Sequence, residues 1–236
     1  MSCEHKQMTP MPGNRLFCHC GYEKFLEHEE MDQWMKKNWH TMLSIVMLSV
    51  PERESEFRKL HTKVQVQAYK CHEYHPSLGR VEIVPVVTKL FSEGGLSIGL
   101  KRQAGIDFSI GKFVMWLDDD DRIAGNYVET ILRLCQQDKD VVTFNTICKF
   151  PDFWALVVMD LDHKEDEQMH EGIVKRRPYH VCAFKKSAIK DCQFPDQNWD
   201  EDAEFLSQAL PLCKSQAKTD AILHEYRNFN SLAKQQ

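Results

Sequence analysis

The sequence predicts an α/β domain built on a mainly parallel sheet, and three observations predict it. Short apolar runs at 42–50, 81–87 and 113–117 read as buried strands. Segments with apolar residues at helical spacing separate them, and strand–helix–strand order implies parallel strands joined by right-handed crossovers. The third observation is how one run ends: GKFVMWL (111–117) stops abruptly at four consecutive aspartates, Asp118, Asp119, Asp120 and Asp121. Ligand sites in open α/β sheets lie at the carboxyl ends of strands, so these carboxylates are expected at one rim of the sheet. Adjacent like charges repel, severely so in a partly desolvated cleft. A cation should relieve the repulsion, and carboxylate clusters suit hard divalent ions such as Mg²⁺ or Mn²⁺, which also bind phosphates. The plainer alternative is a solvated acidic turn.

The totals bound the answer. The 236 residues fit one domain with a small appendage, and a chain 42% hydrophobic and 28% charged can bury a sizeable core. A net charge of −5 gives no global footprint for nucleic acid or an anionic membrane. The N-terminus is polar, without the pattern of a signal peptide, and the longest apolar run (42–50) is too short to span a bilayer. A cytoplasmic protein with no membrane span is the expectation. Nine cysteines, an odd number without a framework pattern, point to reduced thiols and one metal site rather than disulfides.

That metal site would lie in an N-terminal extension, residues 1–40. Cys3 and His5, then Cys18 and Cys20, bracket a turn-rich loop and supply the four ligands of a structural Zn²⁺ knuckle. The competing reading is a reduced, irregular tail. Residues 23–40 read as an amphipathic helix with Phe25, Leu26, Trp34 and Met35 inward. The main domain then runs from 41 to 236. Its first strand (42–50) ends at Pro51, Glu52 and Arg53. A helix follows over 54–69, with Phe57, Leu60, Val64 and Ala68 on one face, then a loop over 71–80 and the second strand. Gly94 and Gly95 permit a tight turn, and Ser97 is placed to cap a helix carrying Lys101 and Arg102 in its first turns. Cations beside a helix N-terminus suit a diphosphate; a solvated basic patch is the alternative. Further elements are expected as a helix over 127–136, strands over 141–144 and 179–184, an aromatic strand or wall over 151–158, a polar loop over 160–172 and a last strand over 222–226. Asp200, Glu201 and Asp202 open a helix running to Leu210. The macrodipole alone explains acids there, but a carboxylate that accepts a hydroxyl proton is the functional reading.

From residue 42 onward the chain resembles family 2 glycosyltransferases of the nucleotide-sugar-binding A-type (GT-A) fold. The resemblance rests on the strand ending in Pro51-Glu52-Arg53, on LSIGLKRQAGI (96–106) leading into GKFVMWLDDDD (111–121), and on Glu201-Asp202. It covers roughly four fifths of the chain, leaves the Cys/His segment outside, and implies a mixed, mainly parallel sheet flanked by helices. It further implies a donor site from Val50, Pro51, Glu52, Arg53, Lys101, Arg102, Asp118 and Asp119. Asp118 and Asp120 form a DxD pair: Asp120 holds Mn²⁺ or Mg²⁺ against the donor diphosphate, and Asp118 holds the ribose or the metal's water. His224 is a further candidate for metal or phosphate, with a plain packed or exposed histidine as the favoured alternative, and Asp202 is the base of an inverting transfer. Family members often carry an aspartate after the second strand that reads the nucleobase; here Val87 and Thr88 stand there, so base recognition falls to the backbone around 49–53.

The implied function is metal-dependent transfer of a sugar from a nucleoside-diphosphate donor, a UDP-sugar first among candidates, to an acceptor hydroxyl with inversion. The acceptor is open: a glycan, or a hydroxylated base in viral-type DNA, toward which Lys175, Arg176, Arg177, Lys185 and Lys186 form the one basic cluster on the presumed acceptor side, with a solvated face as the favoured alternative. The competing functions are a non-catalytic nucleotide-sugar or glycan-binding protein and a zinc-held adaptor.

Overall fold

The structure, a computed structural model, describes residues 8–11, 15–18, 23–25, 27, 30, 41–163 and 171–227. The chain divides into two units, Met1–His40 and Thr41–Gln236. In the first, β1 (Met8–Met11), β2 (Arg15–Cys18) and β3 (Glu23–Phe25) form an antiparallel three-stranded sheet. The start of the helix expected over 23–40 is therefore a strand, because the backbone of Glu23, Lys24 and Phe25 pairs with β2. Cys3, His5 and Cys20 lie outside the described residues, as does the side chain of Cys18, and with them the zinc reading.

The second unit grows from two adjacent parallel strands. β4 (Thr41–Ser49) and β6 (Phe113–Asp118) pair from Leu43–Phe113 to Leu48–Asp118. Every residue from Phe113 to Leu117 has no exposed surface, as the uninterrupted apolar run requires of a strand covered on both faces. β5 (Arg80–Val87) flanks β4 on the other side and tolerates Pro85 because it is an edge of the sheet. The chain thus leaves β4 through α1 (Glu54–Tyr74) to reach β5, then returns past β4 through α2 (Ile98–Phe108) to reach β6. With right-handed crossovers, reversing direction puts the two helices on opposite faces and opens a crevice between the ends of β4 and β6. Ser49 and Asp118 stand at that crevice.

The remaining strands extend the sheet. β11 (Ala183–Lys185) joins β6 antiparallel and carries the order on through β8 (Val141–Lys149), β9 (Trp154–Met159) and β10 (Ile173–Arg176). β12 (Gln216–Arg227) runs parallel to β8 and pairs with the two-residue β7 (Arg122–Ile123). Helix α1 runs on to Tyr74, into the first part of the predicted 71–80 loop, and the strand expected over 179–184 shrinks to β11, with residues 179–182 forming a turn closed by Cys182 N–H on the Tyr179 carbonyl (2.9 Å). Among the described residues no helix is long and apolar enough to cross a membrane.

Alternate residues of β6 serve opposite layers. Met115 meets Tyr127 of α3 (Tyr127–Cys135), whose hydroxyl lies 3.8 Å from its sulfur. Trp116 packs edge-on to Phe194 and to Phe205 of α4 (Glu201–Ala209), and those two rings stack 4.1 Å apart. The Trp116 indole N–H also reaches the Arg102 carbonyl (3.3 Å). This one side chain therefore couples the central strand to both helices that bear the candidate site. Replacing Trp116 by alanine should lower unfolding stability by about 3–5 kcal/mol, measured by urea titration.

Candidate active site

The four aspartates fold into one turn that sorts them by parity. The Asp121 N–H donates to the Asp118 carbonyl (3.1 Å), and an Asp121 carboxylate oxygen accepts the Asp118 N–H (2.9 Å). Asp121 is buried, with its other oxygen 2.9 Å from Nε2 of His224, whose Nδ1 lies 3.3 Å from the Thr146 hydroxyl. Asp119 is also buried: it accepts a hydrogen bond from Ser49 Oγ (2.7 Å) and pairs with Arg53 (2.9 Å). Burial pushes its pKa up to about 6 against the pull of those two partners. Asp118 and Asp120 face outward, their side chains 37% and 42% exposed against 4% and 3% for Asp119 and Asp121. Arg53 reaches Asp120 as well, at 3.0 Å.

The other wall comes from α4. Its N-cap, Asp200, takes the left-handed conformation (φ 58°), which aspartate tolerates better than most residues. Glu201 is buried and receives Arg102 Nη1 at 2.6 Å. Burial raises the Glu201 pKa, with Arg102 opposing. The same guanidinium lies 3.5 Å from Asp118 and 3.8 Å from Asp202. Asp202 also lies 3.2 Å from Nδ1 of His180, an ion-pair distance at which the ring N–H is not aligned for a full hydrogen bond, and the Tyr179 hydroxyl is near enough to act on its charge. Burial works to raise the Asp202 pKa, but His180, Tyr179 and Arg102 together hold it well below the usual carboxylate range. Asp118, Asp202, Arg102, His180, Trp199 and His224 all line one cleft of about 490 Å³.

Helix α2 places Arg102, and its N-terminus is closed. Ser97 Oγ accepts the Leu100 N–H (3.2 Å), the Gln197 carbonyl accepts the Gly99 N–H (3.0 Å), and Asn198 Oδ1 accepts the Ile98 N–H (3.0 Å). A Cβ at Gly99 would sit 1.8 Å from the Pro195 carbonyl oxygen, so glycine there permits the close approach of the 195–198 loop.

Residues 82–192 match the family model described as glycosyl transferase family 2. The matched stretch, a little under half of the chain, is similar to glycosyl transferase family 2. A segment of 87 residues is 28% identical to EpsH of Bacillus subtilis (strain 168), a protein named provisionally as a glycosyltransferase; the match covers 37% of this chain and 25% of EpsH. Among solved structures, the fold resembles residues 1–349 of S. aureus TarS in complex with UDP-GlcNAc, with a TM-score of 0.55, 13% identity, and coverage of 80% of this chain and 59% of that one. TarS 1–349 in complex with UDP gives the same TM-score and identity and 61% coverage of that chain. The chain thus spans about a quarter of the curated relative and about three fifths of the solved TarS segment. These neighbours establish a GT-A type α/β fold, a mixed sheet flanked by helices.

On this scaffold the structure sets Arg102, Asp118 and Asp202 in the cleft lining, which does not include Lys101, and pairs Arg53 with Asp119 and Asp120 beside it. Some expected roles change. The capped α2 terminus has no free amides for a diphosphate, and Lys101 and Arg102 are neither a solvated patch nor anion receptors on an open helix end: both are buried, 6% and 3% exposed. Burial lowers the Lys101 pKa, with Asp119, Asp118 and Glu52 opposing. Val50 lies partly buried at the crevice, while Pro51 and Glu52 are exposed on the 3₁₀ turn that presents Arg53. Asp119 is committed to Ser49 and Arg53, and His224 to Asp121. Among the described residues no three His, Cys, Asp or Glu side chains form a ready metal cage. A pair of outward carboxylates nonetheless fits an ion that takes its other ligands from water and phosphate. The basic cluster disperses: Lys185 pairs with Asp138, Lys186 donates to carbonyls at the C-terminal end of α2, and Arg176 lies over the Tyr179 ring.

Sequence reasoning missed Tyr179, His180 and the clasping role of Asp121. Only the meeting of the 179–182 turn with α4 reveals the first two. Removing Arg102 strands the buried Glu201 charge. Arg102→Met should therefore destabilise by about 3–5 kcal/mol, and adding Glu201→Gln should recover much of it, read as a double-mutant cycle of chemical unfolding. Burial, reinforced by Arg102, lowers the His180 pKa. Its stabilising contribution is complete above the unfolded value near ~6.5 and is lost as pH falls through the folded value. His180→Asn should flatten the dependence of unfolding stability on pH below about 6.5 relative to wild type.

Proposed function

We propose that the chain transfers a sugar from a nucleoside-diphosphate sugar to an acceptor hydroxyl with inversion at the anomeric carbon. The observation carrying this reading is that Asp118 and Asp202 line one cleft and are both approached by a single buried guanidinium, at 3.5 and 3.8 Å. A donor-side carboxylate and a candidate base are thus held at fixed spacing across a space of sugar size.

Asp118 and Asp120 would hold Mn²⁺ or Mg²⁺, which when bound supplies the charge neutralisation a departing diphosphate needs. Arg53, 40% exposed and beside both Asp119 and Asp120, is the cation best placed to meet the same phosphates. Across the cleft Asp202 accepts the acceptor's hydroxyl proton while that oxygen bonds to the anomeric carbon. The bond from that carbon to the diphosphate breaks with its electron pair leaving on the diphosphate. A single base acting opposite the leaving group gives inversion. The low pKa of Asp202 keeps it ionised and ready across neutral pH, at the expense of basicity. The relatives support a UDP-linked donor, since TarS was solved with UDP and UDP-GlcNAc.

A thermal-shift screen of nucleotide sugars with Mn²⁺, starting with UDP-N-acetylglucosamine, should raise the melting temperature; a ligand at a hundred times its Kd adds about 2.7 kcal/mol. Asp120→Asn should abolish the shift. Asp202→Asn should retain it while lowering turnover by about 10²–10⁴-fold. A wild-type-like rate in Asp202→Asn would remove that carboxylate from the mechanism.

A further inference from the structure

We propose that His180 is a positioning residue: Arg102 fixes its imidazole in the Nδ1–H tautomer, and that proton orients Asp202 in the cleft. The proposal rests on the reading of Asp202 as base and adds the group that sets its orientation.

The tautomer follows from donor chemistry. Nε2 of His180 lies 3.3 Å from Arg102 Nη2 in a buried setting. A guanidinium only donates, so Nε2 must be the unprotonated acceptor and a neutral ring carries its proton on Nδ1. Nδ1 is the atom 3.2 Å from Asp202 Oδ2. The arginine cannot swing away to release the ring, because its Nη1 is held by Glu201 at 2.6 Å and its side chain is 4% exposed. The groups around the ring are Arg102 on α2, Glu201 and Asp202 on α4, Asp118 at the end of β6 and Tyr179 beside it. A second proton on Nε2 would set two donors face to face, so the ring is built to stay neutral.

Neutrality suits the role. An imidazolium against Asp202 would draw off the charge that makes the carboxylate a base, whereas a neutral N–H fixes direction at less expense of basicity. The present contact is within reach but imperfectly aligned, which is common for catalytic hydrogen bonds that tighten only once substrate is bound. Tyr179 is a second neighbour from the same turn: its hydroxyl acts on the Asp202 charge, and the Arg176 guanidinium lies 3.9 Å from its ring centroid. Both groups are thus delivered by a turn tied to β11, while the carboxylate arrives on the first turn of α4.

Two measurements on the full chain test this. Long-range proton–nitrogen correlation of the imidazoles, with the His180 signals assigned by their loss in His180→Asn, should show Nδ1 protonated and Nε2 bare between about pH 6 and 8. An Nε2–H tautomer or a cationic ring in that range overturns the proposal, whatever the protein's substrate. The second is turnover of UDP-N-acetylglucosamine with Mn²⁺. His180→Leu should lower turnover by about 10²-fold with the nucleotide KM unchanged. His180→Asn, whose amide N–H can take the place of Nδ1–H, should recover most of it. Equal losses in the two variants, or losses that follow melting temperature, assign His180 a merely structural role and overturn the proposal. A wild-type-like rate in Asp202→Asn would instead sink the base reading, and a wild type inert toward this donor would sink that donor; in either case the tautomer measurement decides the assignment of His180 alone.

Discussion

The site depends on one buried cation. Arg102 sits inside the protein with its guanidinium between Glu201, Asp118, Asp202 and His180. An unpaired charge in such a place would be prohibitively costly, and a paired one is tolerable only with well-made contacts. Its placement therefore requires α2, α4 and the end of β6 to meet in one arrangement. The Trp116 indole on the Arg102 carbonyl and its packing against Phe194 and Phe205 make the apolar side of the same junction. The hydrophobic layer brings the elements together, and the ion pairs set their register.

The carboxylates of the site divide the labour. Asp119 and Asp121 are inward and satisfied, one by Ser49 and Arg53, the other by the Asp118 backbone and His224. Their role is to shape the turn. Asp118 and Asp120 are left outward by the turn that Asp121 closes on the Asp118 backbone. Glu201 neutralises Arg102 so that Asp202, beside it in sequence, can keep its own charge toward the cleft. Of the six acidic groups, three have structural duties, and the other three are those through which the proposed chemistry runs.

The fold places this arrangement where α/β sheets usually bind ligands. Reversal of chain direction between β5 and β6 opens the crevice, and the glycosyl transferase family 2 match spans the stretch from β5 through β11 that builds one side of it. The resemblance to TarS at 12–13% identity is a likeness of backbone; what this chain does with the backbone rests on its own side chains.

Much was legible in the sequence, for identifiable reasons. The short, mainly apolar runs at 42–50 and 113–117 read as strands covered on both faces, so the parallel core and the rim position of the aspartates followed from pattern. Ser97 as a cap and the Glu201-Asp202 pair opening a helix were equally local. The sequence could not tell which aspartates of the four would face the cleft, because parity depends on where the turn closes, and a side chain, Asp121, closes it. Nor could it foresee that Lys101 and Arg102 would be buried, since Glu201, the carboxylate that neutralises Arg102, arrives from 99 residues away. It could not foresee that residues 195–198 would occupy the helix terminus that invited a phosphate. His180 carried no local signal at all. Residue types and strand ends were set by the chain's own pattern, whereas pairings between distant charges were decided only when the packed layers removed water from them and left each buried charge the partners packed beside it.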